Sequence, residues 1–417
     1  MSSRFPARLK IPLPIRVVGC LLFGLSLGLL FPDNRIVKLL YVSGTYFPRT
    51  VVTFATFLIF NLLASAMAKL MLFHKEKAGK MFGLILGIYV TMGAVSLVWV
   101  TGWLALLSRL PFSLPGVAIP GPAAWAVQIG RTFTRMLSQQ PLLQALIGAM
   151  FIGWVTGRVL RLNRIAYGFI AVGDCILWVF RKLLWYYPIM IGCLAIGIPM
   201  KFGTRGIALY GQGVLWDMII ICAWCGCIIL FCKLVTRRTW SQILSYYGTV
   251  WPTGFGTGGS YDTLAVNIIS AESDLGLRRD VAEVSIVFGT VLNKNCATMS
   301  CLIVTIIVAK LLNVPVSMME VIMMLPPVMI LGLESPGIPG GAGYFMSPII
   351  AALLHVPDQA AWITTFVACY SGLIPMFSTA GNTTDDGVVG ALLQDRFGHL
   401  LVHGGVSKAT EAVARVS

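Results

Sequence analysis

Charge is scarce in this chain. Only 11% of its 417 residues are Asp, Glu, Lys or Arg, against about a quarter in a typical soluble domain. With 57% hydrophobic residues and a mean hydropathy of +0.84, an ordinary soluble domain is excluded. Acidic residues are scarcer still, 16 against 31 basic ones. The basic surplus lies between apolar runs, where it sets membrane topology, so nucleic acid is not an expected partner. No nucleophile–base set, phosphate loop or nucleotide motif stands out, which argues against an enzyme and against an ATP-driven pump on this chain. No cleavable leader is expected, because the first apolar run is too long and lacks a small-residue cleavage site. The ten cysteines are scattered. Cys222, Cys225 and Cys227 have the spacing of a metal knuckle, but they lie in the apolar stretch 218–231, which itself contains no His or carboxylate. Buried thiols acting as small hydrophobes are the expectation there.

Long apolar runs are what the chain has in quantity. About 20 apolar residues cross a bilayer as a helix. Segments 11–31, 48–73, 81–107, 123–155, 167–198 and 206–231 meet that need, the fourth in pieces. Basic residues at 75–80, 158–164 and 233–238 mark the cytoplasmic side. The Pro- and Gly-rich stretch 108–122 and the segment 201–205 are expected outside. The basic start and the tail from Gln394 are expected in the cytoplasm.

Beyond residue 240 the apolar runs are interrupted. Segment 243–269 is broken at Pro252 and by Gly254, Gly256, Gly258 and Gly259; segment 318–354 is broken over Pro336, Gly337, Pro339, Gly340, Gly341 and Gly343. Each is followed by a long apolar run with polar residues midway. Asn293 to Thr298 lie within 282–312, and Asn382 to Asp386 lie within 360–393. Backbone amides inside a bilayer must be paired, so broken backbone survives there only against protein or a wet cavity. Two half-helices meeting at a turn enter and leave on one side. Two such hairpin-plus-span units entered from opposite faces form an inverted repeat with a binding site at its interface.

The last 180 or so residues resemble the dicarboxylate/amino acid:cation symporters, the glutamate-transporter family. The likeness rests on Thr257 to Ser260 and Thr263 at the first tip, Gly289 to Thr298 in the seventh span, Ser335 to Gly340 at the second tip, and Thr379 with Asn382 to Asp386 in the eighth. The resemblance implies an all-α polytopic membrane protein with eight transmembrane helices, two re-entrant helical hairpins, inverted repeats and an elevator mechanism. It implies a homotrimer in the inner or plasma membrane, with both termini cytoplasmic. Residues 1–78 would hold scaffold spans one and two, 79–110 span three of the transport unit, and 111–200 scaffold spans four and five. Residues 201–236 would hold span six, 237–397 the transport core, and 398–417 a cytoplasmic tail. Carried over residue by residue, Thr257, Gly259, Ser260, Gly337, Ile338, Pro339, Gly340, Ser378, Thr379 and Asn382 would meet the substrate. Gly289, Asn293, Asn382 and Asp386 would bind the cation. No cofactor is implied beyond a possible sodium ion, and the partners implied are a small solute and membrane lipid.

The chain departs from the family pattern at informative positions. Ser378 stands where acidic-substrate members carry an arginine, and Pro375 where amino-acid carriers carry an aspartate. Asn295 replaces an aspartate that binds sodium, Lys294 a methionine, and Glu334 a glycine. Lys294 is expected either to act as a built-in cation in place of a sodium ion, or to pair structurally with Asp385, Asp386 or Glu334, or to snorkel. Glu334 either caps its half-helix or meets a positive group of the solute. The expected function is secondary active symport of a small polar organic solute, an amino acid or carboxylate, driven by sodium or protons. A channel or anion leak, or a non-transporting receptor on the same fold, is the alternative.

Overall fold

The computed structural model describes residues 13–53, 78–107, 141–183, 186–332 and 340–401, with positions 57, 60, 61, 64, 65, 67, 68 and 72. The second tip at 333–339, with Gly337, Ile338, Pro339 and Glu334, and the expected outer loop 108–122 lie outside the described residues. Every regular element among the described residues is helical. The first helices are α1 (Leu13–Leu30), α2 (Arg35–Thr53), α3 (Ala78–Leu107), α4 (Pro141–Arg158), α5 (Asn163–Leu183), α6 (Tyr187–Ala195) and α7 (Gly197–Val235). There follow α8 (Trp240–Thr257), α9 (Ser260–Ser273), α10 (Arg279–Leu292), α11 (Asn295–Leu312), α12 (Met318–Gly332), α13 (Gly341–Leu353), α14 (Gln359–Tyr370) and α15 (Ile374–Leu401).

Several boundaries differ from the apolar count, each for a local reason. Helix α2 starts well before residue 48, because the Asn34 side chain accepts from the amides of Ile36 and Val37 and caps it. The expected fifth span divides into α5 and α6, where Pro188 in the first turn starts a new helix. Segment 201–205 is a kink inside α7 at Gly203, with φ 58°, rather than an open loop. Helix α8 continues through Pro252 and stops only at Gly258, so the first tip is the two residues Gly258 and Gly259. The seventh expected span is divided at Asn293 and Lys294, and the eighth at residues 371–373, where the chain bends by 66°. The last helix runs to Leu401, past the expected end of the core.

The two C-terminal units start alike. Thr239 and Gln242 form a reciprocal capping box ahead of α8, and Ser317 and Glu320 form one ahead of α12. The far ends of α8 and α9 meet, since the Ser245 hydroxyl donates to Asp274 at 3.1 Å. That pair therefore turns back to the end it started from.

Helix α11 is the innermost element. All its residues from Asn295 to Ala309 are buried, and it packs on α3, α7, α12, α13, α14 and α15. A helix apolar on all sides belongs inside a large core. In contrast α1, α2, α4 and α5 expose Phe23, Leu30, Ile36, Leu39, Phe151 and Trp178, as a lipid-facing surface does. Among the described residues, Gly83–Leu106, Gly197–Val235 and Val281–Leu312 are long and apolar enough to cross a membrane, and the bent α14–α15 pair makes a fourth. Lipid is as apolar as leucine, so van der Waals fit and buried polar bonds hold such helices together more than the hydrophobic effect.

Candidate functional site

Helix α15 is the platform of the site, touching α7, α8, α9, α10 and α11. The first tip meets it through Thr379, whose hydroxyl donates to the Gly258 carbonyl at 3.0 Å. Within the tip, the Thr257 and Thr263 hydroxyls lie 2.9 Å apart, and Thr263 donates to the Gly259 carbonyl at 3.0 Å. Ser260 opens α9 and is buried. Among the described residues no side chain caps α9 at Gly259 or α13 at Gly340. Amides at such helix starts suit an anion. Ser378 is buried, and its hydroxyl donates to its own helix at the Pro375 carbonyl.

The break between α10 and α11 faces α15 lower down. Asn293 Nδ2 donates to the Asn382 carbonyl at 2.8 Å and to Asp386 Oδ1 at 2.9 Å. Asn382 Oδ1 accepts the Cys296 amide at 2.8 Å, capping the start of α11. Gly289, one turn before the break, lies against Asp386. A β-carbon there would overlap the carboxylate and the Tyr89 hydroxyl. The structure thus brings together Gly289, Asn293, Asn382 and Asp386, the four positions expected at the cation site. Thr257, Gly259, Ser260, Ser378 and Thr379 lie at or near the other end of the same stripe of α15.

Lys294 is buried at this break. Its ammonium donates to the Thr290 carbonyl at 2.6 Å. That carbonyl belongs to the last turn of α10, where free carbonyls and the helix dipole favour a cation. Among the described residues no direct ion pair joins Lys294 to Asp385 or Asp386.

Several residues here were not singled out from the sequence. Tyr89 of α3 brings its hydroxyl to 3.4 Å from Asp386 Oδ1. Trp224 of α7 donates its indole N–H to Asp385 Oδ2 at 3.1 Å. The Tyr246 hydroxyl lies 2.6 Å from Asn267 Oδ1 and 3.2 Å from the Thr383 carbonyl, and accepts the Gly387 amide at 3.1 Å. Thr383 and Gly387 are an i, i+4 pair, so a side chain enters the α15 hydrogen-bond ladder beside the two aspartates. Aromatic residues are ordinary in apolar runs and gave no signal. Asp217 did give one, as an acid within the run 206–231, five residues before Cys222.

An ammonium, two asparagines and carboxylates gathered at a helix break inside an apolar helical molecule define a membrane transport protein. The chain belongs to the sodium:dicarboxylate symporter family, whose model matches residues 13–396. It is 25% identical over 378 residues to the serine/threonine transporter SstT of Bifidobacterium adolescentis, covering 86% of this chain and 84% of that protein. It is also 25% identical over 159 residues to an excitatory amino acid transporter of Onchocerca volvulus, covering 37% of this chain and 32% of that one. The family is one of transporters, not enzymes, and co-transports sodium.

Proposed function

We propose that this protein is a secondary active symporter for a small polar solute that carries one carboxylate and no second acidic group. The uncapped starts of α9 and α13 receive the carboxylate. Ser378, where acidic-substrate members of the family carry an arginine, offers no charge to pair with an acidic side chain. The similarity to a protein named as a serine/threonine transporter points the same way. Gly289, Asn293, Asn382 and Asp386 hold the co-transported cation, since a hard cation takes oxygen ligands. The observation that carries the proposal is the buried Asn293–Asp386–Asn382 linkage across the α10–α11 break.

In this proposal the α8–α9 and α12–α13 pairs are re-entrant hairpins within an eight-span, trimeric elevator in the inner membrane, both termini cytoplasmic. Helices α1 and α2 each pack on α6, and α8 to α11 each pack on α15, which supports a scaffold and a moving unit. Lys294 acts as a tethered cation at the C-terminal end of α10 and stands in for one transported sodium ion.

Proteoliposomes offered labelled serine, threonine or aspartate, with an inward sodium gradient or with choline instead, test this. Sodium-driven accumulation of serine or threonine, but not of aspartate, is expected. Flux that only equilibrates the solute supports the channel alternative. A solute-dependent melting shift without flux supports the receptor alternative. Lys294→Met is expected to raise the sodium count per solute by one, and an unchanged count rejects the tethered-cation role.

A further inference from the structure

Asp217 of α7 is fully buried, and neither carboxylate oxygen has a hydrogen-bond partner among the described residues. The hydroxyl of Ser300, on α11, is equally buried and equally unpartnered. Helix α7 packs on α11 here, and Ser300 is Asp217's hydroxyl neighbour, although no hydrogen bond of ordinary geometry joins the two. The other titratable groups within reach of the carboxylate's charge are Cys222 of its own helix, Cys296 and Cys301 of α11, and Tyr370 of α14. Asp385 of α15 is held two turns further along α7, at Trp224. Among the described residues no Lys or Arg pairs with Asp217.

An ionised carboxylate left alone in such an interior costs at least several kcal/mol. A bound cation removes that cost. The surroundings decide which cation. Sodium needs several oxygen ligands, whereas the one polar neighbour of the carboxylate among the described residues is the Ser300 hydroxyl. A proton needs only the carboxylate. The protonated acid gains a donor for the Ser300 oxygen and keeps an acceptor for the Ser300 proton, so both unpartnered groups are satisfied at once.

We propose that Asp217 and Ser300 form a proton-binding site inside the membrane, separate from the cation site at Asp386. The site lies one helical turn from the machinery already described. Ser300 and Cys296 are four residues apart on α11, and the Cys296 amide is the one held by Asn382. Binding or release of the proton therefore acts on the same helix that closes the cation site. The proton site itself does not depend on the solute. Its use in coupling rests on the transport proposal.

Infrared difference spectra of the purified protein in detergent, without solute, test the site directly. The carbonyl band of a protonated carboxyl is expected at neutral pH in the wild type, lost in D217N and shifted in frequency in S300A. Thermal melting gives the second readout. Wild-type stability is expected to fall toward alkaline pH, and D217N to remove part of that fall. A band that persists in D217N, or that does not move in S300A, overturns the proposal. A melting temperature raised by sodium over choline in D386N but not in the D386N/D217N double variant also overturns it, because the site then takes sodium. If D217N does not fold, the S300A frequency decides alone. Failure of solute transport in every vesicle assay leaves these signals intact, so the two proposals fail separately.

Discussion

The two C-terminal units share a capping box, a paired set of helices and a broken long helix, but they use the break differently. In the first, the break at Asn293 and Lys294 is itself the polar site. The run Val281–Leu312 still passes as one span, and the broken residues are buried and bonded to α15. In the second, the break at residues 371–373 bends the chain by 66°. Its Ser371 carbonyl accepts from the Tyr210 hydroxyl at 3.5 Å. The polar groups of that unit, Asn382 to Asp386, lie about three turns further on inside an unbroken helix. There the backbone is engaged from outside, by Tyr246. One unit supplies free helix ends and the other supplies side chains, so a duplicated pattern yields two complementary halves of one site.

That contrast can be broken at its strongest point. Asp386→Ala removes the acceptor of Asn293 and Tyr89 and the charge opposite Lys294. A loss of about 3–5 kcal/mol is expected, as for a buried charge stripped of its partner, and the stabilisation by sodium over choline in melting curves should vanish. Ser371→Ala at the other break should cost less than about 1 kcal/mol and keep the sodium response. If the two variants lose the sodium response alike, the second break is also an ion site and the contrast is wrong.

A subtler version compares two glycines. Gly289 is required by close approach, since a β-carbon would overlap the Asp386 carboxylate. Gly372 is required by backbone conformation, with φ +101°. Gly289→Ala should push Asp386 aside at a cost of about 1–3 kcal/mol, raising the sodium concentration for half-maximal stabilisation roughly tenfold, as about 1.4 kcal/mol at the site would do. Gly372→Ala should cost about as much, on the order of 1–3 kcal/mol, and leave that concentration unchanged. Equal sodium affinity in both variants would remove Gly289 from the cation site.

How much of this was legible in the sequence follows from the same physics. Polar residues in an apolar run are costly, so Asn293, Lys294, Asn382 and Asp386 stood out and were found gathered together. The family, the helical class and the first hairpin turn were legible for the same reason. Pro252 misled because a proline takes out one ladder bond without ending α8. The bend at Gly372 was hidden because a single glycine is common in membrane helices. Asp217 carried a signal that was passed over among its apolar neighbours. Tyr89, Trp224 and Tyr246 carried none, because an aromatic ring reads as core until its polar atom is seen to have a partner.

The finest test of the contrast concerns how α15 is engaged at Thr383. Among the described residues its hydroxyl bonds only backward, to the carbonyls of Thr379 and Ala380 at 2.9 and 3.2 Å. Its carbonyl, by contrast, accepts from Asn267 at 2.8 Å and meets the Tyr246 hydroxyl. If side-chain polarity at 383 mattered, Thr383→Val would weaken the site. If the opened backbone matters, Tyr246→Phe does so instead, since it leaves the Gly387 amide and Asn267 short of a partner. The expected costs are about 1–3 kcal/mol for Tyr246→Phe and within about 0.5 kcal/mol for Thr383→Val, whose hydroxyl duplicates bonds the helix already makes. Melting curves and solute uptake should rank the two variants in that order. The reverse order would mean that the second unit, like the rest of its polar stripe, works through side chains alone.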